Sequence, residues 1–516
     1  MSPPQPPTLP VGGVCPDCSA PLSWSAGTTQ LRCDYCGGGL AIDAEANLVA
    51  LQCPSCSGNF CYVDGALAGQ CPYCAARLLA LTRDRLLRYA ITPRVERPPS
   101  AVDGELVWLP FWRLSGLVLA WDIGKQREHV ALVPELEGGS AAPEDALPRA
   151  NPGDRGPQKQ FRSRVVQLAL PDPAARQLGV QSLRLRAAVF PLEPFRLEHE
   201  RLGRVVPPTH DIAAARGELW ERAIDPRHAT AELSVDCQRA DLLAETLSLL
   251  YYPFWVAPGA RELRLWDAVT GAAEPLAAVA REPAQAAANP TVFDEVKVIE
   301  LRCERCGGEL LTGQRAVVLP CRQCHTSWVA GREGLQPFAA HFARPQLPPP
   351  AAAAPLRWLP FWQVSVRVQY CGRLARRAGD LRAVLEVRAP PGTRARLAPP
   401  DTPLTYFAPA YGSLRACRLD VAARDMTRLQ PALEPGPYSA GQLMGSFFGP
   451  EDAHALGYAV WIGLLPGAVT HRLRSLRLVF EHTQLWYVPF AEQGRELVNL
   501  LTGGRYDSAF FVRGAP

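Results

Sequence analysis

The chain has 516 residues, enough for three or four domains with cores of their own at roughly 150 residues each. Apolar residues make up 47% and charged residues 20%, which excludes wholesale disorder, while 41 glycines and 51 prolines favour strands and turns over long helices. The formal net charge of +4 is too small for a general polyanion binder of this length, so any nucleic-acid site has to be local.

In chain order, residues 1–10 read as a disordered, proline-rich tail. They lack the basic and apolar regions of a secretory signal, which predicts a cytoplasmic protein. Residues 11–48 and 49–90 carry the first two of three cysteine sets, 91–295 form a β-rich module A, 296–340 carry the third set, and 341–516 form a β-rich module B. The expected class is α+β and β-rich, with three four-cysteine zinc ribbons and two duplicated modules. In module A, Leu106–Leu114 reads as the start or edge of a buried strand, because Pro110 cannot donate in mid-sheet. Leu183–Val189 and Leu473–Phe480 read as short strands, and Ile212–Ala223 and Ala240–Leu250 as helices. Gly138–Pro157, Ala343–Pro355 and Ala389–Pro403 read as loops or spacers. The apolar run Ala455–Val469 is shorter than the ~20 residues of a membrane span and predicts a buried element.

Twelve of the sixteen cysteines fall into three sets with one spacing, C-x2-C-x14-C-x2-C. The sets are Cys15, Cys18, Cys33 and Cys36; Cys53, Cys56, Cys71 and Cys74; and Cys303, Cys306, Cys321 and Cys324. Two such turns facing each other across a hairpin aim four thiolates at one point, which is the pattern of a structural zinc ribbon. Four cysteines close the coordination shell and leave no position for water or substrate, so the zinc is expected to be structural in all three sets. Redox use of the C-x-x-C pairs lacks a βαβ context, and the haem-attachment string Cys321-Arg-Gln-Cys324-His325 requires cysteines the third set already uses. Glycines after Cys36 and Cys306 supply the positive φ with which the chain turns under the metal. Cys61, Cys237, Cys371 and Cys417 remain as small core residues.

The modules repeat a pattern. Trp108 follows Cys74 by 34 residues and Trp358 follows Cys324 by 34, and each opens the pentapeptide Trp-Leu-Pro-Phe-Trp. Variants recur as Tyr251-Tyr-Pro-Phe-Trp255 and Trp486-Tyr-Val-Pro-Phe490, each followed by a tail that closes on Thr-Gly. Four aromatic copies at equivalent places predict core packing in a duplicated unit.

The tandem ribbons, the aromatic-Pro-Phe-Trp strands and the Thr-Gly hairpin, with Phe407-Ala-Pro-Ala-Tyr411 and Met426-Thr-Arg428, resemble a group of bacterial multi-zinc-ribbon proteins. Members are labelled, from the ribbon alone, as like the primosomal helicase PriA or like transcription factor IIB. The resemblance implies a zinc-binding, noncatalytic module and carries no helicase or transcription activity with it. No P-loop is present: Gly124-Lys125 is the only Gly-Lys pair, and Leu119 stands where the first glycine belongs. The protease, hydrolase and dinucleotide signatures are absent as well. The sequence therefore predicts a structural or adaptor protein that presents rigid surfaces to protein partners. The alternative is nucleic-acid binding through Arg302, Arg305, Arg315, Arg322 and Trp328 of the third ribbon and the basic segment 77–97, and an enzyme built on the β modules is a third class.

Overall fold

The computed structural model describes residues 8–14, 21–25, 30–33, 39–41, 48–63, 68–82, 85–98, 104–126, 158–181, 183, 191–224, 233–258, 263–272, 292–310, 316–350, 354–370, 372–385, 398–411, 421–465, 475–508 and 511. Short strands make up most of the described residues among the first 90. Strands β1 (Thr8–Val14), β2 (Pro21–Ser25), β3 (Gln30–Cys33), β4 (Gly39–Ala41), β5 (Leu48–Gln52) and β6 (Asn59–Val63) form one sheet in the order β4-β3-β2-β1-β6-β5. Its strand β1 begins within the stretch read as a tail. β7 (Ala68–Gln70) and β8 (Arg77–Leu81) follow as an antiparallel pair. β9 (Leu87–Ala90), β10 (Glu105–Gln126), β11 (Gln158–Pro171), β12 (Glu193–Pro194), β13 (Arg204–Val205), β14 (Leu233–Pro258) and β15 (Leu263–Asp267) build a seven-stranded sheet around the long β10–β14 pair. β16 (Lys297–Glu300) returns to pair with β8, and β17 (Val318–Pro320), β18 (Ser327–Ala330) and β19 (Leu335–Phe338) form a small meander. β20 (Ala340–Phe342), β21 (Leu356–Tyr370), β22 (Arg373–Ala375), β23 (Thr405–Pro409), β24 (Gln442–Leu443), β25 (Arg477–Gln493), β26 (Glu496–Asn499) and β27 (Arg505–Asp507) make an eight-stranded sheet around β21–β25.

Helices are few: α1 (Pro173–Gln177), α2 (Leu197–Leu202), α3 (Ile212–Ala223), α4 (Ala378–Leu385), α5 (Val421–Leu429) and α6 (Pro450–Leu464) among the described residues. The class is α+β and β-rich, as expected. Helix α3 covers the predicted span, capped by the Asp211 carboxylate accepting the Ala214 N–H at 2.8 Å. Helix α6 takes in the apolar run from Ala455 to Leu464 and buries Leu456, Val460, Trp461 and Ile462, whereas residues 466–469 of the run lie outside the described residues. No helix among the described residues is long and apolar enough to cross a membrane. The strand expected at Leu473–Phe480 enters the described chain as the beginning of β25, whereas most of Leu183–Val189, the Gly138–Pro157 loop and much of Ala389–Pro403 lie outside the described residues.

Three expectations need correction. Leu106–Leu114 opens its strand, since β10 begins at Glu105, but it is not an edge: β10 runs between β14 and β11, with Pro110 inside the sheet. The proline is accommodated because the outer neighbour of β10 changes there. β13 covers Val107 and Trp108, β11 takes over at Phe111, and the Pro110 carbonyl accepts the Asp172 N–H at 3.0 Å on that same outer side. The missing N–H therefore breaks no ladder bond with β14. Pro360 sits alike between β24 and β23, its carbonyl accepting from Ala410 at 3.0 Å.

Secondly, Ala240–Leu250 is not a helix but part of β14. That strand pairs with β10 from Glu105↔Val256 to Gln126↔Leu233, and a dense leucine run satisfies a strand buried on both faces as well as a helix. A bulge at Ala244 (φ 50°) faces Gly116, where a side chain would meet the Leu243 carbonyl at 2.9 Å. Thirdly, Ala343–Pro355 does not begin as a free spacer. The N–H groups of Ala343, Gln346 and Leu347 donate to Tyr487, Leu500 and Leu500 carbonyls at 2.9, 3.0 and 2.9 Å, because the segment runs from β25 to the β26–β27 turn and closes over it.

The aromatic motifs are core. Trp108, Trp112, Trp358 and Trp362 are fully buried, and each indole N–H is satisfied: by His199 O (2.9 Å), the Asp172 carboxylate (3.0 Å), Ser439 O (3.1 Å) and Phe448 O (2.8 Å). The Thr-Gly turns are held by a buried acceptor. Asp267 takes the Val269 and Thr270 N–H groups at 2.8 and 3.0 Å, and Asn499 takes those of Leu501 and Thr502 at 2.8 and 3.3 Å. Asp267 also accepts the Tyr252 hydroxyl at 3.0 Å, whereas Val488 occupies the corresponding place beside Asn499 and needs no acceptor. Asp267→Ala should cost about 3 kcal/mol in denaturant unfolding, since it strands two N–H groups and a hydroxyl in the core, and Asp267→Asn should cost about 1 kcal/mol.

Candidate metal centres

The second and third cysteine sets are each brought to a point. In both, the four sulfurs lie within 4.8 Å of one another. Cys53–Cys74 and Cys56–Cys71 are each 3.7 Å apart, and Cys303–Cys324 and Cys306–Cys321 are 3.6 and 3.5 Å apart. Four sulfurs about 2.3 Å from a central zinc ion would span edges of about 3.8 Å, whereas a disulfide would need about 2.05 Å. Both sets fit a tetrathiolate around one metal ion, and all eight cysteines are free thiols.

Each C-x-x-C pair is a turn of one construction. The residue after the second cysteine is left-handed, with φ of 59° at Ser57, 58° at Ala75, 69° at Gly307 and 56° at His325. Its N–H donates back to the first cysteine's carbonyl at 2.8–3.0 Å. The first cysteine's own N–H closes the turn from the other side, on Gly58, Ala76, Gly308 and Thr326 carbonyls at 2.8–3.0 Å. Glycine fills the strained position only at Gly307; three side-chain-bearing residues hold the same angle at a cost of about 1 kcal/mol each, which metal binding must offset.

One cysteine of every turn is buried and its partner lies nearer the surface. Cys53, Cys71, Cys303 and Cys321 are 0–2% exposed and belong to hydrophobic clusters, while Cys56, Cys74 and Cys306 are exposed. The sulfurs differ electrostatically as well. The hydroxyl and backbone of Thr326 hydrogen-bond Cys324 and hold it down at about 6. Cys306 gains a backbone hydrogen bond at Gly308 that lowers it, yet desolvation and the three neighbouring sulfurs push it up to about 12. A set of four such thiols cannot ionise together unaided, so a divalent cation is the natural charge partner.

The two centres share a wall. The left-handed Ala75 turns the chain out of the Cys71–Cys74 knuckle directly into β8, and β16 leads through Leu301 and Arg302 into Cys303. The strands pair antiparallel, Lys297↔Leu81 to Glu300↔Leu78, and the Leu301 N–H extends the ladder to the Arg77 carbonyl at 2.8 Å. Successive β8 side chains then enter different cores. Leu78 and Ala80 pack in the cluster of Cys53 and Cys71, whereas Leu79 and Leu81 pack in the cluster of Cys303, Cys321, Leu319 and Trp328. Ser55 donates to Glu300, and Arg77 pairs with Glu309, tying the two knuckle regions together. Sequence reasoning took Arg77 onward as a basic segment and missed this wall; the signal was the unbroken apolar run Leu78–Leu81.

In the first set, Cys15, Cys18 and Cys36 lie outside the described residues, and Cys33 ends β3 without a described side chain. Of the four leftover cysteines, Cys61 is buried and burial pushes its thiol up to about 12, as suits an inert core residue. Cys371 and Cys417 lie outside the described residues, and Cys237 sits in β14. Several of the basic residues considered for nucleic acid have partners within the chain, while Arg322 is exposed. Arg302 pairs with Glu300 at 3.2 Å, Arg305 donates to the Thr326 hydroxyl at 3.1 Å, and Arg85 donates to the Glu295 carbonyl at 2.9 Å. Arg88 lies over the rings of Phe195 and Phe293 at 5.1 and 5.3 Å. Trp328 is 6% exposed and offers no stacking face; Arg315 and Arg83 lie outside the described residues.

No family model, no curated protein and no solved structure matches this chain. The geometry of the centres is therefore what bears on function. The open space around Gly307 leaves conformation as the only difference between glycine and alanine there. Gly307→Ala should weaken the third centre by about 1 kcal/mol, and Ala75→Gly should strengthen the second by about 0.5 kcal/mol, both read as shifts in metal affinity by chelator competition.

Proposed function

We propose that the protein is a noncatalytic, zinc-dependent adaptor of the cytoplasm, in which three four-cysteine ribbons and two copies of one β-rich module present rigid surfaces to protein partners. The observation that carries this reading is the closed donor set. At both described centres all four positions of a tetrahedron are cysteine sulfurs, two of them embedded in the hydrophobic core, so a bound zinc ion has no site left for a reacting molecule and serves to hold the backbone. Such an ion contributes roughly 10–16 kcal/mol of apparent binding energy, more than a segment of about 40 residues obtains from its own core. The third ion rests on the first cysteine set having the same spacing as the other two.

Matching hydrogen bonds support the duplication. The Trp108 and Trp358 carbonyls accept from Val206 and Met444, both at 3.0 Å, and those of Pro253 and Pro489 accept from Ala268 and Leu500 at 3.2 and 3.0 Å. Tyr251 and Tyr487 carbonyls accept from Ile91 and Ala343 at 3.3 and 2.9 Å. Both central strand pairs also break register a few residues beyond the pentapeptide, between Ser115 and Leu117 and between Val364 and Val366, and the first pair breaks again between Ile123 and Gly124. These bonds join residues at equivalent motif positions in weakly similar sequences, as expected of two copies.

The noncatalytic reading is further supported by how charge is used in the larger clefts. In a cleft of about 680 Å³ at the junction of α3, β14 and the start of α6, Arg216 grips Glu245 through two bonds of 2.7 and 2.6 Å. Asp294, in a second cleft of about 640 Å³, is paired with Arg332 and held below the usual carboxylate range by it.

Metal analysis of the purified chain should return three zinc ions, and replacing Cys15 and Cys18 by serine should leave two. Crosslinking with quantitative mass spectrometry in native cells should show the same protein partners in repeated captures, lost when the eight cysteines of the second and third sets are replaced. A chain that remains an isolated monomer under these conditions would overturn the adaptor reading.

A further inference from the structure

Two centres more than two hundred residues apart in sequence are built on one strand, and that arrangement has a thermodynamic consequence. β8 is the outgoing strand of the second centre and the template for β16, the incoming strand of the third. Ordering the Cys71–Cys74 knuckle sets the direction of β8 through Ala75. Ordered β8 then supplies the third centre with Leu79 and Leu81 for its core, and with the Arg77 carbonyl that accepts from Leu301, two residues before Cys303. In the other direction, β16 completes the sheet of β8 and β7, and Glu300 and Glu309 reach back to Ser55 and Arg77.

We infer that the second and third centres bind metal as a coupled pair, each raising the other's affinity through the β8–β16 ladder. The inference rests on the zinc reading above. Coupling between sites is reciprocal, so whatever factor one ion contributes to the other's affinity is returned. The physical source is conformational: the first ion to bind meets the ordering cost of the shared strand, and the second finds it already ordered. Coordination in the two centres is otherwise separate, since no cysteine belongs to both sets.

The test uses the full chain loaded with zinc and titrated with chelators of graded strength. Hydrogen exchange is followed in peptides covering 53–63 and 68–81 for the second centre, and 297–309 and 317–330 for the third. In the wild type both regions should lose protection at the same free zinc concentration. The double substitution C56S/C74S disables the second centre at its two exposed sulfurs, and should raise the free zinc needed for half-protection of the third by about tenfold or more. Ile299→Pro removes one N–H directed at β8 and leaves all eight thiols in place, so both regions should still bind zinc but open at separate concentrations. A third centre whose midpoint stays within about twofold in C56S/C74S, or midpoints that stay coincident in Ile299→Pro, would overturn the coupling alone. A wild-type chain that binds zinc at neither centre would overturn the metal reading and the coupling with it.

Discussion

The pairing of β8 with β16 is the contact on which both described cysteine centres depend. A five-residue strand, Arg-Leu-Leu-Ala-Leu, has no solvent face to spare: its odd and even positions are spent on two different cores, each containing two buried cysteines of one centre. Neither core could close with a polar residue at its share of the strand, because a buried polar group without a partner costs more than the strand gains by pairing. The cysteine turns and β8 are thus mutually dependent. The sulfurs need the strand to place them, and the strand needs the turns on either side to reach both cores.

The two large sheets are stabilised by other means. Their aromatic strands bury tryptophan, tyrosine and phenylalanine in quantity, and every indole of the two pentapeptides has an acceptor. The sheets meet directly: Leu119, Trp121 and Leu243 from the first belong to the core of the second, and the Trp121 indole donates to the Ala459 carbonyl at 2.9 Å. The Asp452 carboxylate of α6 accepts the Ala244 N–H at 2.7 Å across the same junction. The two aromatic sheets are therefore joined through a shared core rather than loosely tethered.

Much of this was legible in the sequence. Cysteine spacing placed the donors of both described centres, since coordination geometry leaves a narrow choice of spacings, and the Trp-Leu-Pro-Phe-Trp repeats located the central strands β10 and β21. The helix at Ile212–Ala223 was readable because its composition and apolar spacing are local signals. What was not legible depended on partners remote in sequence. Leu242, Leu243, Leu247, Leu249 and Leu250 fit a helix by themselves and became a strand only because β10 lies beside them. Arg77–Leu81 looked like the start of a basic segment until β16, more than two hundred residues on, supplied its neighbour. Proline by itself predicts an edge, a rule that holds for a strand with one continuous neighbour on each side and lapses where a neighbour ends.

Pro110 and Pro360 do more than fit between flanking strands. In an extended pair, sliding by two residues preserves which side chains face inward, so hydrophobic patterning alone does not forbid it. Here such a slide would move each ring away from the gap between its outer neighbours and bring a nitrogen without hydrogen against a carbonyl that needs a donor. The imino acid at the centre of each sheet thereby acts as an index mark, fixing the alignment of β10 and β21 against their outer neighbours by covalent chemistry.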